Sequence, residues 1–241
     1  MLPPNDIKAI LFDLDGTLRH DLPAGGEAVG EYARSLGLEV SSEYRIHGLR
    51  WEHSYWAKSS ELHADLGKYE ENSRDFWLNY NRRQLLAMGA LEKHAAELAP
   101  LVSKYMEENY RPASIPAPEA QSVLVHLKQA GLRLGVVSNR EQPFVEELVH
   151  IGLDSYFEFS LAAGEVQSYK PEPAIFEAAL KRIDSAAQET VYVGDNYFAD
   201  VVGARNAGLR PVLYDPQGVF PEADSATIKS FDELKSILKV I

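Results

Sequence analysis

The chain has 241 residues, of which 45% are hydrophobic and 25% are charged, an ordinary composition for a globular protein with room for one large domain or a domain with a smaller one inserted. Its formal net charge of -12 argues against a protein that binds the nucleic-acid backbone, because such proteins need a basic face. Cysteine is absent, which excludes disulfides, thiolate nucleophiles and cysteine metal sites and fits a reducing cytoplasm.

The sequence carries no sign of export or of membrane insertion. Met1–Asp6 lacks the basic region and the long apolar stretch of a signal peptide. No apolar run approaches the roughly 20 residues that a membrane helix needs. We therefore expect a cytoplasmic protein that has neither a membrane nor a nucleic acid as its partner.

The first predicted element is a buried strand, Ile7–Phe12. This segment is short, apolar and partly β-branched, and it ends where Asp13 and Asp15 begin an acidic run. Gly16 permits the tight turn that would let both carboxylates face one pocket.

A long segment follows, from about Arg19 to Arg111, and we predict no strand within it. Its helical patterns are Glu27–Leu36, Ser42–Ala57, Ser73–Met88 and Leu91–Tyr110. Two glycines near its entrance and three prolines near its exit are common boundary signals. We expect residues 1–18 and 114–241 to form one core, into which 19–113 is inserted as an all-helical domain.

Beyond the insert, apolar strand patterns alternate with helical ones. The predicted strands are Leu132–Val137, Thr190–Val193, Pro211–Tyr214 and a shorter piece near Phe157–Leu161. Helical faces between them are formed by apolar residues around Leu124, Leu148 and Phe176. This alternation predicts an α/β fold, a parallel sheet covered by helices.

Polar residues follow three of the predicted strands. Asp13 and Asp15 follow the first, Ser138 and Asn139 end the second, and Asp195 follows the third. The carboxyl ends of parallel strands line one crevice, so we expect these side chains to meet there. Lys170, which precedes a Pro-Glu-Pro helix start, is expected to join them.

Asp13, Asp15 and Asp195 would put three carboxylates in one place, which needs a cation, protonation or both. Like charges about 4 Å apart repel by about 4 kcal/mol at an effective dielectric constant near 20. Because the available ligands are oxygens, a hard cation is favoured, and Mg²⁺ in particular if phosphate and water complete an octahedron. The metal would bridge Asp13 and a phosphate oxygen and offset the repulsion between them.

The chemistry that fits this cluster is phosphoryl transfer to a carboxylate. Asp13 would attack phosphorus and form an aspartyl-phosphate. Asp15 would protonate the leaving alkoxide and then deprotonate the hydrolytic water. Thr17, Ser138, Asn139 and Lys170 are the expected phosphate contacts. Asn139 could equally serve only as the cap of the following helix.

In four segments the sequence resembles the haloacid-dehalogenase-like hydrolase superfamily. They are Asp-Leu-Asp-Gly-Thr-Leu at 13–18, Ser-Asn at 138–139, Lys-Pro-Glu-Pro at 170–173 and Gly-Asp-Asn-Tyr-Phe-Ala-Asp at 194–200. The resemblance spans Asp13 to about Gly208 and implies a Rossmann-like core with a cap domain between the first and second motifs. One departure is Asn196, which stands where Ser or Thr is frequent.

The resemblance also implies roles for these residues. Asp13 would be nucleophile and metal ligand, Asp15 would be acid/base with its main-chain carbonyl on the metal, and Asp195 would bind Mg²⁺. Asp200 would lie behind them and position Lys170 or a metal-bound water. Relatives that resemble the dehalogenases lack the second aspartate and work without a metal, so Asp15 favours a phosphatase.

Several alternatives stay open at the level of sequence. A mutase that moves a phosphoryl group between positions of a sugar would use the same core, as would a metal-independent haloacid dehalogenase. A phospho-receiver or binding protein is a non-enzyme alternative, although receiver domains are about half this length and have no insert. The expected substrate is a small-molecule phosphate ester. The cluster of Arg50, Trp51, His53 and Tyr55 could face that substrate or belong to the core of the insert.

Overall fold

The computed structural model of the chain describes residues 7–238 and divides into two compact units. One unit contains the chain up to His20 and from Ser114 onward, and the other is Asp21–Ala113. The assignment of these units as catalytic core and cap stays a prediction. The run Met1–Asp6, for which we predicted no signal peptide, lies outside the described residues.

Six parallel strands form the sheet of the first unit. They are β1 (Ala9–Phe12), β4 (Arg133–Ser138), β5 (Phe159–Ala162), β6 (Thr190–Gly194), β7 (Arg210–Tyr214) and β8 (Ala226–Ile228). Their order is β5-β4-β1-β6-β7-β8, and every neighbouring pair is parallel. β1 lies between β4 and β6, so the order reverses beside β1. The predicted Rossmann-like α/β fold is confirmed.

Helices cover both faces of this sheet. They are α6 (Ala120–Gln129), α7 (Val145–His150), α8 (Ala163–Val166), α9 (Pro173–Ile183), α10 (Gly203–Asn206) and α11 (Phe231–Leu238). Ile10 and Phe12 of β1 face the apolar core shared with α6, α7 and α11, whereas Ala9 and Leu11 face the core shared with α8, α9 and α10. All four residues of β1 are therefore buried, which explains the continuous apolar run in the sequence.

The second unit contains five helices within the described residues. They are α1 (Gly25–Ser35), α2 (Ser42–Trp56), α3 (Ser60–Leu66), α4 (Arg74–Ala87) and α5 (Glu92–Asn109). Three serines cap helices in this unit by accepting a hydrogen bond from a backbone N–H group: Ser41 caps α2, Ser59 caps α3 and Ser73 caps α4. Four helices were predicted, and α3 was missed because it buries only Leu62 and the polar Asp65.

Several aromatic residues of the second unit form one of its apolar clusters. Tyr55, Phe76 and Tyr80 are buried together, and Trp51 packs against them. The Tyr55 hydroxyl donates to Asp65 Oδ2 at 3.0 Å. Of the two interpretations of Arg50, Trp51, His53 and Tyr55, a place in the core therefore holds for Tyr55, which is fully buried, whereas substrate contact by the other three stays a prediction.

A second sheet has two short strands, β2 (Arg19–Leu22) and β3 (Ala113–Pro116). The prediction that no strand lies between Arg19 and Arg111 was therefore wrong. All four residues of β2 are at least partly exposed, and three of them are polar, so the segment has no apolar alternation. In residues 7–238, none of the helices combines the length and apolar character required to cross a bilayer.

Candidate active site

The reversal of strand order places three strand ends side by side. β1, β4 and β6 end at Phe12, Ser138 and Gly194, and Phe12 pairs in register with Val136 and Val193. The residues that follow these ends share one edge of the sheet, where ligands of open α/β sheets bind.

Asp13, Asp195 and Asp200 form a cluster of carboxylates at this edge. Each offers one oxygen atom, and the three atoms lie within 4.8 Å of one another. Burial raises the pKa of Asp195 to about 7, and the charge of Asp200 adds to the shift. Desolvation is the larger cause, so ionised Asp195 is costly in this site unless a cation lies beside it.

Lys170 is the buried cation of the site. Its Nζ donates to Asp13 Oδ1 at 2.5 Å and to Asp200 Oδ1 at 2.7 Å. Burial opposes the charged form of Lys170, but the charges of Asp13 and Asp200 raise its pKa well above the ordinary value. The ammonium group is therefore fixed beside the predicted nucleophile, as the sequence led us to expect.

Asn139 holds the main chain of Lys170. Its Oδ1 accepts from Lys170 N at 2.7 Å, and its Nδ2 donates to Lys170 O at 2.9 Å. The alternative that Asn139 caps the following helix is wrong, because α7 begins later, at Val145, and has no side-chain cap. Its contact with phosphate stays a prediction. Ser138 is buried, and its Oγ accepts from Arg140 N at 3.4 Å.

The loop after β1 packs directly on Asp195. The Thr17 hydroxyl donates to Asp195 Oδ1 at 2.8 Å and accepts from Asp195 N at 3.0 Å. Gly16 has a φ of +87°, and a Cβ there would lie 2.4 Å from Asp195 Oδ2. The tight turn expected at Gly16 is confirmed, whereas the predicted role of Thr17 as a phosphate contact stays a prediction.

Asp15 points to two arginines. Its Oδ2 accepts from Arg140 Nε at 2.8 Å, and its Oδ1 accepts from Arg140 Nη2 at 2.9 Å and from Arg19 Nη1 at 2.8 Å. Although burial opposes it, hydrogen bonding from Arg140 and the charges of Arg140 and Arg19 lower the pKa of Asp15. The prediction that the Asp15 carboxylate joins Asp13 and Asp195 was therefore wrong, because the two arginines hold it and Asp200 is the third member of the cluster among the described residues. The metal contact predicted for the main-chain carbonyl of Asp15 stays a prediction.

Arg140 is the residue that the sequence reasoning missed. It directly follows Ser138 and Asn139, so a cation beside two predicted phosphate contacts was an available signal.

Asn196 and Asp200 follow β6 and are joined by a hydrogen bond. Asn196 Oδ1 accepts from Phe198 N and Ala199 N, both at 3.0 Å, and so caps the π-helical segment Tyr197–Val202. Asn196 N donates to Asp200 Oδ2 at 2.9 Å. A side-chain oxygen is what this position requires, which explains why Asn can replace the usual Ser or Thr. The contact of Asp200 with Lys170 is one of the two that the resemblance implied.

The residues of the cluster fit a hard dication such as Mg²⁺. Their donors are carboxylate oxygens, which Mg²⁺ prefers, and one oxygen from each of the three residues lies close enough to the others to share a metal ion. Asp200 already binds Lys170 through one oxygen and Asn196 through the other. Asp13 and Asp195 are therefore the better side-chain ligands.

The sequence that forms this site matches a known family. Residues 7–208 match the haloacid dehalogenase-like hydrolase family, a family of hydrolases. This chain belongs to that family. The predicted membership is thus confirmed, and so is the prediction that the chain is an enzyme of this hydrolase class.

The relatives of this chain within the haloacid dehalogenase-like family are named as different enzymes. Ribulose-1,5-bisphosphate 5-phosphatase of Halopiger xanaduensis is 30% identical over 226 residues, covering 90% of this chain and 89% of that protein. Phosphoserine phosphatase of Thermus thermophilus is 32% identical over 238 residues, covering 92% and 93%. The crystal structure of a 2-haloacid dehalogenase from Pseudomonas syringae pv. Tomato is 28% identical with a TM-score of 0.56, covering 97% of this chain and 98% of that one.

Proposed function

We propose that this chain is a Mg²⁺-dependent phosphatase that hydrolyses a small-molecule phosphate monoester through an aspartyl-phosphate at Asp13. The observation that carries the proposal is the position of Asp13, held by Lys170 and next to Asp195, with a second aspartate two residues along the chain. The two curated relatives described above are named as phosphatases, which supports it.

Asp13 acts as the nucleophile because its surroundings reduce the repulsion between two anions. Lys170 donates to Asp13 Oδ1 and places a positive charge beside the carboxylate that attacks. Mg²⁺, held by Asp13, Asp195 and the main-chain carbonyl of Asp15, would supply the charge that offsets the phosphate dianion. The ester oxygen leaves phosphorus as the bond from Asp13 forms.

Asp15 moves the protons of the reaction. Because Arg140 and Arg19 lower the pKa of Asp15, its carboxylate is ionised in the free site and must take up a proton as the substrate binds. It gives that proton to the departing alkoxide in the first step and takes one from the attacking water in the second. In the second step, water bonds to phosphorus while the bond from Asp13 breaks, which releases inorganic phosphate and restores the carboxylate. Ser138, Thr17, Asn139 and Lys170 are proposed to bind the phosphoryl oxygens.

Dehalogenation is a second candidate function, favoured by the likeness to the 2-haloacid dehalogenase. A halide leaves without a proton, so that reaction has no use for Asp15 as an acid. The presence of a second aspartate at position 15 therefore favours the phosphatase. A mutase would use the same residues, and release of inorganic phosphate from the ester separates the two.

The helical unit, Asp21–Ala113, is proposed to act as the cap that selects the substrate. We also propose a cytoplasmic location, which the composition favours. A panel of phosphorylated metabolites would identify the substrate.

The test is hydrolysis of p-nitrophenyl phosphate with Mg²⁺ and with EDTA, in the wild type and in Asp13→Asn. Asp13→Asn keeps the shape of the side chain and removes the nucleophile. Asp184→Asn is the control, because the Asp184 side chain is 94% exposed and lies after α9. We expect turnover that needs Mg²⁺ and is lost only in Asp13→Asn. Equal turnover in EDTA or in Asp13→Asn would refute the mechanism, and halide release from 2-haloacids would support the second candidate.

A further inference from the structure

Arg140 has no role in the mechanism described so far, although it binds the acid/base residue directly. We propose that Arg140 is a positioning residue, which fixes the orientation of the Asp15 carboxylate for the step in which water attacks the aspartyl-phosphate. The proposal rests on the proposed phosphatase function and adds a residue to it.

The contact between Arg140 and Asp15 constrains both oxygens of the carboxylate. Nε binds Oδ2 at 2.8 Å and Nη2 binds Oδ1 at 2.9 Å, so two parallel hydrogen bonds join two planar groups. A single hydrogen bond would leave the carboxylate free to turn, whereas this fork prevents rotation. Arg19 adds a third bond, at 2.8 Å to Oδ1, and its Nε is itself held by Ser114 Oγ at 2.7 Å.

The main chain around Arg140 is anchored on several sides. Arg140 O accepts from Gly164 N at 3.2 Å, and Arg140 N donates to Ser138 Oγ at 3.4 Å. The preceding residue, Asn139, holds the main chain of Lys170 through two hydrogen bonds. One short segment after β4 thus positions both Lys170 beside the nucleophile and the guanidinium beside Asp15.

The charges around Arg140 argue against a role in attracting the substrate. Glu147 of α7 forms ion pairs with two arginines, with Arg140 Nη1 at 3.4 Å and with Arg19 Nε at 3.5 Å. Two guanidinium groups and two carboxylates therefore balance within this group. Because these four side chains together carry no net positive charge, we assign to Arg140 an effect on the orientation of Asp15.

Misorientation of Asp15 has a specific kinetic consequence. In the second step Asp15 must lie within hydrogen-bond reach, about 2.6–3.2 Å, of the water whose proton it takes. p-Nitrophenolate leaves with little help from an acid, so the first step is less sensitive to Asp15. A slow second step makes the aspartyl-phosphate accumulate and gives a burst of nitrophenolate before steady turnover.

The test compares Arg140→Gln and Arg140→Lys with a matched control, Arg133→Gln. Arg133 begins β4, at the end of the strand away from Ser138, and it makes a similar forked contact with Glu158 at 2.7 to 3.1 Å. For Arg140→Gln we expect kcat on p-nitrophenyl phosphate to fall about 10- to 100-fold, since a misplacement of about 1 Å has effects of that size. KM should fall with it, so that kcat/KM, which reports substrate binding and the first step but not the second, stays within about threefold. Arg140→Lys should be intermediate, and the control unchanged.

Two results would overturn the proposal. One is a loss of kcat/KM without a burst, which indicates damage to binding or to the first step. The other is a crystal structure of Arg140→Gln in which the Asp15 carboxylate keeps the single orientation of the wild type. The crystal structure decides the question even if the wild type hydrolyses no phosphate ester, an outcome that would refute the proposed function instead.

Discussion

At the scale of single residues, the site is built on a buried ammonium group between two carboxylates. Lys170 is 2% exposed, and its Nζ contacts both Asp13 and Asp200. An ion pair removed from water stabilises a fold only when it stays complete, because a charge left alone there is costly. Lys170 therefore serves both stability and the proposed chemistry.

Replacing Lys170 with Met should destabilise the protein strongly at neutral pH. The change leaves Asp13 and Asp200 buried without their cation, at a cost of about 3–5 kcal/mol in the free energy of unfolding. Urea denaturation measures this, with Lys181→Met, on the exposed side of α9, as the control. A loss below about 1 kcal/mol, a typical value for an exposed pair, would show that the pair is not a buried one.

The raised pKa of Asp195 predicts how metal binding depends on pH. Burial and the charge of Asp200 raise this pKa to about 7, so protons and Mg²⁺ compete for the same carboxylate below that value. Calorimetric titration should give an apparent Kd for Mg²⁺ that rises about tenfold per pH unit below pH 7, with proton release on binding. A Kd that is constant between pH 5.5 and 8 would contradict this.

The raised pKa of Asp195 also determines whether the stability of the metal-free protein rises or falls with pH. The folded state keeps a proton on Asp195 up to about pH 7, whereas the unfolded chain releases it near the ordinary value of 3.8. Unfolding therefore releases a proton in this window, and the contribution of Asp195 to stability falls as the pH rises from about 4 to 7.

At the scale of elements, the ends of three strands determine which residues meet. The apolar runs of β1, β4 and β6 were visible in the sequence because these strands are buried on both faces. β8, β3 and α3 were not predicted, since each is short and mixes polar with apolar residues. The apolar pattern of a sequence arises from burial, so an element that buries few apolar side chains is hard to predict from that pattern.

The π-helical segment after β6 depends on one side-chain cap. Asn196→Ala removes the acceptor of two N–H groups and should destabilise the protein by about 1 kcal/mol. Asn196→Ser keeps a side-chain oxygen and should stay close to the wild type. Thermal unfolding of both variants tests this, and an equal loss of stability in the two would mean that the cap is not what Asn196 contributes.

At the scale of the whole molecule, long-range contacts complete the site and limit what can be predicted. The residues of the four motifs were found from the sequence because each follows a recognisable strand or starts a helix. The pairing of Arg140 with Asp15 joins positions 125 residues apart, and nothing local in the sequence indicates it. The same holds for the hydroxyl of Thr17, which binds Asp195 across 178 residues.

The central claim is that Asp13 becomes phosphorylated during turnover. The most direct measurement is acid quenching of the enzyme during hydrolysis of p-nitrophenyl phosphate with Mg²⁺, followed by mass spectrometry of its peptides. We predict one added phosphoryl group, on Asp13, with a larger fraction of modified enzyme in Arg140→Gln and none in Asp13→Asn. Turnover at the wild-type rate with no phosphoryl group on Asp13 in either the wild type or Arg140→Gln would contradict the account.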